Sequence, residues 1–121
     1  MQSTPQQGTH LKVNLEFLHT VCDGDENFIR SIIQTFVEDA PHILQRLILH
    51  AKDSNWTEAG LAAHQLKPSL QFIGLDDTLS NVKKIERCCQ EPSEVDTIPD
   101  LVVSVTQDIS QAVNELQLHL A

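Results

Sequence analysis

Glycine is scarce in this chain. Only Gly8, Gly24, Gly60 and Gly74 occur in 121 residues, and none belongs to a Gly-rich loop. Walker A and dinucleotide fingerprints need clustered glycines so that backbone N–H groups can close on phosphates. Nucleotide binding by those routes is excluded, and any phosphoryl group handled here must come from another protein or a small donor. Basic residues are also few: eight Lys and Arg stand against 17 Asp and Glu, a net charge of −9. Along the sequence they look scattered, with no basic stripe. So acidic a chain repels nucleic-acid phosphates and anionic membranes, and neither partner is expected. Cysteine is limited to Cys22, Cys88 and Cys89, an odd count without C-x-x-C spacing. Adjacent residues on a helix point about 100° apart, which does not suit one zinc ion. Free thiols of a reducing compartment are the expectation. No apolar run approaches the ~20 residues that cross a bilayer. Met1 to Thr9 lacks the charged-then-apolar order of a signal peptide. A soluble, cytoplasmic protein is expected.

What is present is a core and helical periodicity. Hydrophobic residues make up 40% of a chain whose length fits one domain. Residues 1–12, rich in Gln, Ser and Thr, read as a disordered leader or linker end, and residues 13–121 as the domain. A short first helix places Leu15, Leu18 and Cys22 at helical spacing and is stopped by Asp23-Gly24-Asp25. Those carboxylates faintly resemble a calcium loop, but Phe28 and Gln34 stand where its glycine and terminal Glu belong, so helix capping is the better account. A long second helix, about 26 to 52, carries Phe28, Ile29, Ile32, Ile33, Phe36, Ala40, Ile43, Leu47 and Ala51. Pro41 lies inside it, and a kink is expected because the ring crowds the carbonyl of Val37. After Asp53-Ser54-Asn55, a third helix with core stripe Trp56, Ala59, Ala63, Leu66, Leu70 and Ile73 ends at Gly74. A fourth carries Leu79, Val82, Ile85 and Cys89. A polar, acidic loop, 91–97, leads to a fifth helix opening near Pro99 with Val102, Val105, Ile109, Val113, Leu116 and Leu120. No segment alternates as a strand would. The expected fold is all-α: an antiparallel four-helix bundle with an additional short N-terminal helix over one end.

The third helix holds the candidate chemistry. At about 100° per residue, His64 falls well away from the core stripe, and Lys67 and Pro68 neighbour it on the surface. An exposed histidine is ordinarily just surface, but three features single this one out. Ala62 and Ala63 leave the approach open. Lys67 can place an ammonium beside a phosphoryl group on the ring. Free imidazole titrates at about 6.5, so a neutral ring nitrogen is available to attack phosphorus at cell pH. A second outward row, Leu61, Gln65, Pro68 and Phe72, is a candidate docking surface. Pro68 inside a helix frees the carbonyl of His64 and costs ~3 kcal/mol.

Ala63-His64-Gln65-Leu66-Lys67-Pro68-Ser69, followed by Gly74, resembles the signature of histidine phosphotransfer (HPt) domains, His-x-Leu-Lys-Gly with a small residue next and a later Gly. Phe36…Asp39-Ala40-Pro41…Leu44…Leu47 resembles the kinked helix that precedes the family's active helix. Asp53-x-x-Trp56 and Ile85-Glu86 also fit, so the resemblance spans roughly residues 13–118. It implies a four-helix bundle that relays phosphoryl groups between aspartates of response-regulator receiver domains, supplied by a hybrid sensor histidine kinase. His64 matches the phosphoryl acceptor, Lys67 the lysine that steadies the phosphoryl group, and Ser69 a position of small residues. Pro68 departs from the pattern, which has Gly there; the compact ring keeps the surface approachable but bears on partner choice. The resemblance implies that the receiver brings Mg²⁺ and presents its aspartyl phosphate in line with a ring nitrogen of His64. This chain is expected to bind no cofactor or metal itself and to act as a monomer without autonomous kinase activity. The sequence fits either a free-standing protein or part of a larger hybrid kinase.

Three rivals have distinct signatures. A non-phosphorylated interaction module would bind receiver domains or partner helices through the outward row alone. A metal-binding bundle would need converging ligands, yet His10, His19, His42, His50, His64 and His119 form no i, i+4 pair and no Glu-x-x-His repeat. A conventional enzyme using His64 as general base would need a partner carboxylate or nucleophile, and none can be read from the sequence.

Overall fold

A computed structural model describes residues 13–120. The expected leader, residues 1–12, lies outside the described residues, as does Ala121. The described chain is all-helical: α1 Glu16–Val21, α2 Glu26–Lys52, α3 Trp56–Ile73, α4 Asp76–Cys88, a 3₁₀ segment Pro92–Thr97, and α5 Ile98–Leu120. Among the described residues no helix is long and apolar enough to cross a membrane.

Local chemistry sets the boundaries. Asp23 and Gly24 both take positive φ and turn the chain after α1. Asp25 then caps α2, its side chain accepting from the N–H groups of Asn27 and Phe28. Asn55 caps α3 in the same way through Glu58 N–H, and Gly74 ends it in the left-handed conformation. Helices α2 and α3 continue through Pro41 and Pro68. The region expected to be a loop, 91–97, forms a 3₁₀ turn instead, because Pro92 presets the first-turn φ and Thr97 back-bonds to the Glu94 carbonyl.

The four long helices pack in a closed cycle, α2 on α3, α3 on α4, α4 on α5 and α5 back on α2. Each turns a stripe inward: Ile29, Ile33, Phe36, Ala40, Leu44 and Leu47 from α2; Ala59, Ala62, Ala63, Leu66, Leu70 and Ile73 from α3; Ile98, Val102, Val105, Ile109, Ala112 and Leu116 from α5. Full burial of one such Leu or Ile contributes roughly 1.5–3 kcal/mol. Some positions differ from the helical-wheel expectation. Phe28 is exposed, since it points about 100° away from the fully buried Ile29 beside it. Trp56, the first residue of α3, is only half-buried. On α4 the buried thiol is Cys88 and Cys89 is half-buried, while Thr78 is buried and its hydroxyl donates to Asp108 on α5 at 2.9 Å. Leu44, Ala62 and Ala112 join the core because four-sided packing widens each apolar stripe.

The short α1 carries Leu18 and neighbouring Cys22 into the core, and the chain before it crosses the end of α3. There Asn14 N–H donates to the Ile73 carbonyl at 3.0 Å. A Cβ on Gly74 would lie 2.1 Å from the Asn14 carbonyl oxygen, and its φ of +76° is unfavourable for any side chain. Gly74→Ala should therefore lower stability by at least ~2 kcal/mol. Urea unfolding measures this, and a loss below ~0.5 kcal/mol would mean the crossing yields without cost.

Candidate functional site

His64 stands where α3 and α4 lie side by side. Gly60, one turn earlier, allows the approach: a Cβ there would sit 3.3 Å from the Cβ of Cys89. Ala59, Ala62 and Ala63, all buried, continue the small-residue seam. This seam brings Glu86 of α4 beside His64, whose side chain is 61% exposed. His64 Nδ1 lies 2.6 Å from Glu86 Oε2, and Lys67 Nζ lies 2.7 Å from Glu86 Oε1. One carboxylate thus serves both residues singled out from the sequence.

The carboxylate also sets the imidazole tautomer. An ionised carboxylate only accepts, so Nδ1 must carry the hydrogen and donate it. In the neutral ring the lone pair then resides on Nε2, the nitrogen away from Glu86. Partial burial pushes the Glu86 carboxyl up, but hydrogen bonds from Lys67 and His64, together with their charges, outweigh it. The group is held below the ordinary value of 4.5 and is ionised at neutral pH.

Two shallow grooves lie along α3, one holding His64 and one beginning a turn further on at Pro68. One, of about 450 Å³, is lined by Trp56, Thr57, Gly60, Leu61, His64, Glu86, Cys89 and Gln90. The other, of about 240 Å³, is lined by Ile32, Thr35, Phe36, Pro68, Ser69, Phe72 and Ile73. The residues expected to form a docking surface divide between these places. Leu61 is exposed on the first groove, and Pro68 and Ser69 line the second. Gln65 is exposed between them and accepts a hydrogen bond from Arg46 of α2. Phe72 is half-buried rather than outward, with its ring 5.9 Å from that of Phe17. Among the described residues, no three or more His, Cys, Asp or Glu side chains group so as to hold a metal ion.

Residues 31–118 match the family described as Hpt domain. The chain belongs to the Hpt domain family. Histidine phosphotransfer within phosphorelays, alongside receiver domains and kinases, is the work of this family. No match was found among curated proteins or among solved structures. The matched span of this Hpt domain contains His64, Lys67 and Glu86 together. In the sequence Glu86 is only one member of a pattern and carries no evident role. Nothing local marks it, because it lies 22 residues from His64 on another helix. Only the register of α3 against α4 could have found it.

The pKa shift of Glu86 has a measurable consequence. A carboxylate lowered by folding stabilises the fold above its unfolded value and loses that contribution as pH falls through the folded one. Urea unfolding should therefore show wild type and Glu86→Ala furthest apart above pH 4.5 and converging below it. A gap that grows in acid would contradict the pairing. The thiol beside the site should be inert. Burial, then the neighbouring Cys88 and Glu86, pushes Cys89 up to about 11. At roughly pH 8, iodoacetamide should modify Cys89 several-fold more slowly in the native protein than in urea, since only the thiolate reacts. Equal rates would show an unprotected thiol.

Proposed function

We propose that this Hpt domain is a phosphorelay intermediate in which His64 accepts a phosphoryl group from the aspartate of one receiver domain and passes it to another. The observation that carries the reading is the Nδ1–Glu86 hydrogen bond, which leaves the lone pair of an exposed imidazole on Nε2. In the forward step Nε2 forms the N–P bond while the P–O bond to the aspartyl oxygen breaks. The departing carboxylate keeps the electron pair. No proton leaves the attacking nitrogen, so the ring becomes a cation that retains Nδ1–H. Glu86 opposes that charge at hydrogen-bond distance. Donation to the second receiver reverses these events.

Lys67 is the second working group. Its ammonium, one turn from His64 and resting on Glu86, is within reach of a phosphoryl group on the ring. Leu61, Gln65, Pro68, Ser69 and Phe72 serve as the docking surface, with the two grooves receiving apolar parts of the receiver. The receiver contributes Mg²⁺, and the Hpt domain needs no bound cofactor of its own. It acts as a cytoplasmic monomer, downstream of a hybrid sensor histidine kinase. The closed cycle of helix contacts supports an antiparallel four-helix arrangement.

Mixing the protein with receiver domains phosphorylated by acetyl phosphate tests this reading. Acid-labile label should appear on the wild type and be absent from His64→Gln. Lys67→Ala should slow transfer by roughly ten- to a hundredfold with helicity unchanged. Label that persists in His64→Gln, or stable receiver binding without transfer, would overturn the relay.

A further inference from the structure

The fold sets the basic run of α4, Lys83, Lys84 and Arg87, on the helix that packs beside Lys67 of α3. Residue numbers fall along α4 as they rise along α3, with Gly60 against Cys89 and His64 against Glu86. Lys83, one turn before Glu86, therefore lies beside the Lys67 end of the site. Arg87 follows Lys83 by four residues on the same outward stripe, and Lys84 lies between them in sequence. Lys83, Lys84 and Arg87 are all exposed. Lys67 is paired to Glu86, whereas none of the three α4 cations is in an ion pair with another described residue. Over Leu61–Phe72 and Leu79–Gln90 the only carboxylate is Glu86, against Lys67, Lys83, Lys84 and Arg87. This is a local excess of positive charge in a chain of net charge −9.

A solvated helix face would account for one or two lone lysines. It does not account for four of the chain's eight Lys and Arg falling on two adjacent helix stretches whose one carboxylate is the Glu86 that holds His64. The rest of the molecule repels acidic proteins, so an acidic partner is oriented by this region alone. Lys84 and Arg87 border a cleft that also holds Glu94, Asp96 and Asp100, which dilutes the charge on that side. Lys83 lies outside that cleft, and Arg87, on its edge, stands about 100° from Glu86 around α4 against about 160° for Lys84, so Lys83 and Arg87 are the pair nearer the site.

We propose that Lys83 and Arg87 form, with Lys67, a cationic lip that selects a receiver domain by the acidic surface around its phosphorylated aspartate and steers it onto His64. The proposal rests on the relay reading above. The occupant's chemistry follows from that reading: an aspartyl phosphate is anionic, and the protein side of a Mg²⁺ site is built mainly from carboxylates. The lip acts on encounter and specificity, not on bond making at Nε2.

The test uses receiver domains of graded surface charge, phosphorylated with acetyl phosphate, against the full chain and its Lys83→Glu/Arg87→Glu variant. For the wild type, the second-order transfer rate should be highest with the most acidic receivers. It should fall about tenfold or more as salt rises from low to about molar concentration, since screening removes steering. In the variant the low-salt rate should drop by about tenfold, the preference among receivers should flatten or invert, and added salt should raise the rate. Circular dichroism and urea unfolding establish that the variant is folded. If the variant matches wild type in rate, receiver preference and salt response, the lip is wrong while the relay stands. If the wild type takes label neither from any receiver nor from phosphoramidate, the relay reading fails and the lip falls with it.

Discussion

A single carboxylate organises the site. Glu86 accepts from His64 with one oxygen and from Lys67 with the other, at 2.6 and 2.7 Å. Both contacts join α4 to α3, so the same interaction fixes a tautomer and ties two helices. Two cation-bearing or proton-bearing partners explain why a partly buried carboxyl stays ionised, since their attraction outweighs the burial that opposes it. Were Glu86 neutral, its own O–H would compete for Nδ1 and the ring would lose its directed lone pair. The placing of the ring's lone pair on Nε2 is thus a property of the helix pair rather than of His64 alone.

That pairing depends on how closely the helices approach. Gly60 faces Cys89 with room for no ordinary side chain unless the neighbour gives way, and Ala59, Ala62 and Ala63 line the same seam. Small residues bury less apolar area, so the stability of α3 comes from Leu66, Leu70 and Ile73 further along, all fully buried. The two halves of the helix therefore differ in role. The first is thin for close contact at the site, and the second anchors the core. Gly74 and the crossing Asn14 backbone then close the anchored end.

Periodicity made most of this legible. The helix boundaries, the Asp25 cap and the Gly74 terminus follow from local sequence, because capping and left-handed glycine are short-range chemistry. His64 and Lys67 were legible for the same reason, being one turn apart on one face. What escaped was tertiary. Glu86 joins the site through the α3–α4 register, and the basic cluster of α4 comes alongside α3 only after the chain reverses at Gly74. A helical wheel also treats the apolar stripe as uniform, so it places Trp56 inside although it opens its helix, and Phe28 inside although Ile29 beside it takes the buried direction.

Pro68 departs from the Gly that the HPt pattern carries, and the structure gives the substitution a physical context. Proline removes one N–H, leaving the His64 carbonyl without its usual partner inside α3. Pro68 is exposed, so water can bond that carbonyl and the cost stays below that of a buried orphan. The buried Leu66 and Leu70 on the opposite side hold the turn in place, and α3 runs through without a break. Glycine at this point would add backbone freedom directly beneath the His64 ring, whereas proline fixes φ near the helical value. The chain therefore keeps a low surface beside His64 while gaining stiffness there. Under the proposed relay, a stiff ledge accepts fewer partner shapes than a pliant one, and discrimination between receivers would then fall to the neighbouring grooves and the charge on α4.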